Sequence, residues 1–140
     1  VPLIATYDAF RFIFSWYDID NAIVSKIMNP MISAKEVIEE ITAHFNQVSA
    51  KLGYTIHPPE DLVNQMGYGL LRQDMHEKSL AFFKMNVENY PNHSNVYDSL
   101  GDYYAAVDEK EKAIKAYEKA LITGGGNSYS KEKLDNLKTD

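Results

Sequence analysis

The chain from Glu60 to His93 can be laid over the chain from Ser94 to Asn127 without a gap, so the second half of the sequence repeats every 34 residues. Gly67 falls on Gly101, Met66 on Leu100, Leu70 on Tyr104, Ser79 on Ala113, Leu80 on Ile114 and Phe83 on Tyr117. A recurring unit of this size is one supersecondary element. It cannot bury its apolar face alone and must stack on its neighbour. The residue types and the length predict a helix–turn–helix in each unit. Pro91 closes the second helix of the first unit; Gly125, within Gly124-Gly125-Gly126, stands at the matching place in the second and predicts a looser joint.

The small residues Gly67, Gly101, Ser79 and Ala113 would let the two helices of a unit approach closely, and Phe83 and Tyr117 are expected to fill the space between neighbouring units. The stretch resembles the tetratricopeptide repeat (TPR) family. The second repeat carries Tyr97, Leu100, Gly101, Tyr104, Ala113, Tyr117 and Ala120 at the family's offsets; the first departs from them, with Val63 for the first aromatic and Asn86 for the last small residue. Beyond them, Lys131, Lys133, Leu134, Leu137 and Lys138 make residues 130–138 read as a solvating helix, which covers the apolar face that stacked repeats leave open. The expected architecture is all-α, an α-α superhelix. A helical N-terminal section spans 1–59, and a TPR domain spans 60–138, with repeats 60–93 and 94–127 and a capping helix over about 129–138.

In the first half, Ser33-Ala34-Lys35-Glu36 has the form of a capping box, in which hydroxyl and carboxylate satisfy N–H groups at a helix start. Val37, Ile38, Ile41, Phe45, Val48 and Leu52 then make one apolar face, and Gly53 supplies the C-terminal cap. Residues 54–59 form a linker, because Pro58-Pro59 cannot continue a helix but can begin the next. Asp18 to Pro30 reads as a loop carrying one or two helical turns around Ala22 to Met28. Upstream, Tyr7, Phe10, Phe12, Phe14, Trp16 and Tyr17 crowd together. Alternation of Phe10, Phe12, Phe14 and Trp16 would suit a strand; Leu3, Tyr7, Phe10, Phe14 and Tyr17 follow a helical spacing, which is the favoured reading. The apolar run is too short for a bilayer core of roughly 30 Å.

Composition excludes several classes. The 14 Lys plus Arg against 20 Asp plus Glu leave a formal charge of −6 with no basic stripe, so no nucleic acid is expected as a partner. The chain has no cysteine, which removes disulfides, thiolate zinc and a cysteine nucleophile together. His44, His57, His76 and His93 fall in different segments without the spacing of a zinc helix, so no metal and no cofactor are expected. Neither a G-x-S-x-G elbow nor a phosphate-binding glycine loop occurs, and Gly124 to Gly126 follows a helix, not a strand.

Resemblance to TPR domains implies a groove lined by the first helices of the repeats. Its positions here are Asn64, Tyr68 and Arg72, then Asn95, Asp98 and Asp102, and its ligand would be a protein or peptide. Some family members hold a C-terminal carboxylate with a Lys and Asn clamp. Tyr68, Asp98 and Asp102 stand where that clamp needs amide or basic groups, so an acidic tail is not the expected ligand. The same six residues can equally be solvated helix positions in a short groove.

A second resemblance concerns Val1-Pro2-Leu3-Ile4 and Tyr7-Asp8-Ala9-Phe10-Arg11-Phe12-Ile13-Phe14. They are similar to the C-terminal end of bacterial esterases of the α/β-hydrolase fold, in the esterase D and enterochelin-esterase group. There a His-Gly-Ser or similar tripeptide with the catalytic histidine precedes such a Val-Pro-Leu. Some members continue through a segment like Leu52-Gly53-Tyr54 and Pro58-Pro59-Glu60 into TPR repeats. The resemblance implies that the chain begins just after that histidine, with serine, acid and oxyanion hole upstream, in a secreted or periplasmic setting. No catalytic residue is carried over. Phe10, Phe12, Phe14, Trp16 and Tyr17 become a candidate interface, to a hydrolase domain of the same parent chain or to a second copy in a homodimer. The expected role is a noncatalytic TPR interaction or scaffold module. The alternatives are a section of an esterase that shapes its cleft or dimerises it, and a free-standing TPR adaptor.

Overall fold

The computed structural model describes residues 18–124 and 128–139. Among them every regular element is a helix: α1 (Asn21–Met28), α2 (Ala34–Leu52), α3 (Glu60–Leu71), α4 (His76–Asn89), α5 (Ser94–Ala106), α6 (Lys110–Ile122) and α7 (Ser128–Thr139). The all-α expectation holds. The chain divides into two units, Val1–Pro58 and Pro59–Asp140.

In the first unit, Asp20 caps α1 by accepting from the Ala22 N–H at 3.0 Å, and the 8-residue helix is the pair of turns expected there. Ser33 caps α2 as predicted, its Oγ accepting from the Glu36 N–H at 3.2 Å. Once started, α2 buries Ala34, Val37, Ile41, Phe45 and Val48 along one stripe. Lys26 of α1 pairs with Glu40 of α2. Gly53 ends α2 at φ 79°, a left-handed conformation that a side chain disfavours, and its N–H reaches the Ser49 carbonyl at 2.9 Å. The Ser49 hydroxyl then accepts from the Ile56 N–H at 2.8 Å, which folds the linker back along the helix. The candidate interface of Phe10, Phe12, Phe14, Trp16 and Tyr17 lies outside the described residues.

The second unit keeps the sequence period in three dimensions. Helices α3, α5 and α7 start at Glu60, Ser94 and Ser128, and α4 and α6 at His76 and Lys110, each 34 residues after its counterpart. The turn inside each helix pair is the same. Asp74 (φ 57°) and Asp108 (φ 60°) are left-handed. The N–H groups of Met75 and Glu109 reach back to the carbonyls of Leu70 and Tyr104 at 3.0 and 2.8 Å, and those of Asp74 and Asp108 to Leu71 and Ala105. That double hydrogen bond is a Schellman ending, with aspartate in the seat glycine usually takes.

Close approach is enforced where the two glycines align. A Cβ on Gly67 would stand 2.9 Å from the Phe83 ring, and one on Gly101 only 2.5 Å from the Tyr117 ring. Phe83 and Tyr117 each pack on the glycine of their own repeat and also reach the unit that follows, Phe83 through Tyr103 and Tyr117 through Leu134. The glycine allows the first contact by removing the one atom that would keep the ring off the backbone. The contact of Phe83 with Tyr103 is tilted, at 6.0 Å. Ser79 donates to the Gly67 carbonyl at 2.8 Å, satisfying a buried acceptor. Gly124 is more than a helix stop: at φ 58° a Cβ there would meet the Asn92 carbonyl at 2.8 Å. Gly125 and Gly126 lie outside the described residues. At the far end α7 buries Leu134 against Ala113 and Tyr117, with Leu137, Ile114 and Leu121 at the margin.

Candidate functional site

Asp98 and Asp102 sit one turn apart on α5, and Tyr68 occupies on α3 the register position that Asp102 holds on α5. The Tyr68 hydroxyl donates to Asp102 Oδ2 at 2.7 Å across that period. The Tyr117 hydroxyl, from α6, donates to Asp102 Oδ1, also at 2.7 Å. From α7, Lys133 Nζ lies 2.7 Å from Asp98 Oδ2 and 2.7 Å from Asp102 Oδ1, and Ser130 donates to Asp98 Oδ1 at 2.5 Å. Four helices thus contribute to one polar seam.

The seam follows from electrostatics. Asp98 is only 6% exposed, and a carboxylate withdrawn from water must be paired and hydrogen-bonded. Ser130, itself fully buried, and Lys133 supply those partners. Burial pushes the Tyr68 hydroxyl well above its ordinary 10.0; Ser99 works against the rise and the Asp102 carboxylate adds to it. Burial also raises the Tyr117 hydroxyl, reinforced by its bond to Asp102. Lys133 is opposed by burial, but its hydrogen bonds to Asp102 and Asp98 outweigh it and hold the ammonium above 10.5. At neutral pH the tyrosines keep their protons and the lysine its charge. The chemistry available here is hydrogen bonding and ion pairing.

Of the six groove positions read from the sequence, the structure gathers Tyr68, Asp98 and Asp102 into this seam. Asn95 is exposed and joins another cluster, donating to Glu60 Oε1 at 2.9 Å while His93 Nδ1 sits 2.6 Å from Glu60 Oε2. Asn64 is partly buried, with an Oδ1 that has no hydrogen-bond partner, and Arg72 is exposed at the end of α3. The solvated reading fails for Asp98 on burial alone. Sequence reasoning missed Lys133, Ser130 and the hydroxyl of Tyr117. The 34-residue register was a usable signal for the Tyr68 and Asp102 pair. For Lys133 the only signal was a cation on the apolar side of the last helix, next to Leu134.

Among the described residues, no group of three or more His, Cys, Asp or Glu is placed to hold a metal ion. No helix among them is long and apolar enough to cross a membrane.

No family model matches the chain. Over 75 residues it is 31% identical to the tetratricopeptide repeat domain-containing protein PYG7, chloroplastic, of Arabidopsis thaliana. The matched stretch is 54% of this chain and 25% of that relative, so the chain spans about a quarter of its length. The similarity and the helix pairs together support a TPR-like helical region.

Proposed function

We propose that the chain is a noncatalytic TPR interaction module, whose partner is a protein or peptide bound along α3 and α5 at Asn64, Tyr68, Arg72, Asn95, Asp98 and Asp102. The observation that carries this reading is the seam itself: polar side chains from both first helices meet at one place, in a fold built to stack helix pairs. Tyr68 and Asp102 also tie the two repeats together, so removing them would lower stability as well as binding. Arg72 and Asn95, both exposed, are the better probes.

The test is selection of a displayed peptide library on the whole chain, followed by titration of an enriched peptide into the isotopically labelled protein. Amide shifts are expected on α3 and α5, and Arg72→Ala with Asn95→Ala is expected to weaken binding about tenfold, roughly 1.4 kcal/mol, at unchanged melting temperature. Shifts confined to other helices would sink the proposal.

The similarity of residues 1–14 to esterase ends favours a finer reading, in which this module follows an α/β-hydrolase domain and helps shape its cleft or dimerise it. An upstream G-x-S-x-G elbow with a histidine at the junction supports it; without them the free-standing adaptor stands. In either case this chain alone is expected to hydrolyse p-nitrophenyl acetate no faster than buffer, and clear turnover would falsify the noncatalytic assignment.

A further inference from the structure

Helix α7 meets the second repeat through one face, on which Ser130, Lys133, Leu134 and Leu137 recur at helical spacing. Ser130 and Lys133 reach Asp98, Lys133 also reaches Asp102, and Leu134 sits on Ala113 and Tyr117. The Lys133 ammonium lies 5.6 Å from the centroid of the Tyr117 ring, within range of a cation–π attraction. Beneath α7 there is therefore a complete recognition surface for a helix: two carboxylates, an aromatic face and an apolar floor.

The hold on the present occupant rests on few residues, chiefly Ser130, Lys133 and Leu134. The helix has 12 residues, at the lower edge of the about 12–15 at which isolated helices begin to persist in water. Its one buried leucine is Leu134, and Lys133, 34% exposed, meets Asp102, 25% exposed, where salt can weaken the pair, whereas its pair with the buried Asp98 is sheltered. In the sequence it follows Gly124-Gly125-Gly126, residues that lose the most backbone entropy on being fixed.

We propose that α7 is a displaceable occupant of this surface, and that the surface takes in its place a partner protein's amphipathic helix of the same chemistry. That helix carries a lysine, leucines one and four residues after it, and a hydroxyl three residues before it. An acidic helix is excluded, because Asp98 and Asp102 would face it. The inference rests on the interaction reading above and adds the class of ligand.

The probe is a fluorescein-labelled peptide with the sequence of residues 127–140, added to the whole chain and followed by fluorescence anisotropy. Lys133→Gln, which loses the internal ion pairs and leaves both carboxylates to the peptide's own lysine, is expected to bind it about tenfold more tightly than the unaltered chain. The peptide with glutamate at that lysine is expected not to bind. In hydrogen exchange on the unaltered chain, the amides of α7 should exchange about tenfold faster than those of α5 and α6, and faster again when NaCl rises from about 0.05 to about 0.5 M. Exchange as slow as in α5 and α6 at both salt concentrations overturns the proposal. So does failure of the peptide to bind a Lys133→Gln chain that circular dichroism shows to be folded. Concentration-dependent dimers of the unaltered chain in sedimentation would name a second copy as the helix donor and overturn the assignment to a partner protein. If this peptide binds while library-selected peptides leave α3 and α5 unshifted, the groove reading fails and this one stands; the reverse result overturns this one alone.

Discussion

At single positions the fold depends on atoms that are missing. Gly101 and Gly67 do the same job, yet the gap over Gly101 is tighter, 2.5 Å to the ring against 2.9 Å. Gly101→Ala is therefore expected to destabilise more than Gly67→Ala, by about 1–3 kcal/mol, because an added methyl must push a buried ring off its seat. Urea denaturation of the two variants checks the order. The left-handed aspartates make an opposite case. A side chain in that conformation is strained by roughly 1–2 kcal/mol, and aspartate tolerates it better than most. Asp108→Gly is expected to keep or raise the melting temperature, and Asp108→Val to lower it; a Val variant as stable as the parent would show that φ 60° is not imposed by the turn.

Helices that carry their own punctuation were legible before any coordinates. The Ser33 cap, the apolar stripe of α2 and the Gly53 ending are local, each set by residues within a turn or two of one another. Ser33→Ala should accordingly lower stability by about 1 kcal/mol, measurable as a shift of the urea midpoint, and the first turn of α2 should exchange its amide protons sooner. The 34-residue period was legible for the same reason, since repetition converts distant packing into a local pattern. What stayed hidden is interaction between unlike elements. Nothing near Lys133 in the sequence announces Asp98, and a helix rich in Lys131, Lys133 and Lys138 reads as solvated until its neighbour's carboxylates are seen. Of the six groove residues, Tyr68 and Asp102 could be paired by register, whereas the burial of Asp98 could not be foreseen. Likewise the spacing marks Phe83 as a core aromatic that reaches the next repeat, but does not say that its ring also lies on Gly67.

For the molecule as a whole, the seam couples stability to alkaline pH. The Tyr68 and Tyr117 hydroxyls and the Lys133 ammonium all have native pKa values above their ordinary 10.0 and 10.5. A group raised on folding contributes fully while pH is below its unfolded value. The contribution is lost as pH climbs towards the native one, because the unfolded chain then releases a proton that the native chain retains. With these groups contributing in full, the melting temperature is thus expected not to change on their account between about pH 7 and 9 and to fall beyond about pH 10. Tyr68→Phe with Tyr117→Phe should flatten part of that fall. A parent and variant with the same alkaline slope would mean that the seam is not coupled to folding.

Helix α7 begins where the first helix of a third repeat would begin, and the position matching Gly101 is taken by Asp135. The earlier glycines are what allow an aromatic from a second helix to settle on the backbone. A carboxylate there refuses that contact twice, by its bulk and by its charge. At that register position α7 therefore offers an exposed charge where α3 and α5 offer bare backbone, a different surface built on the same 34-residue frame.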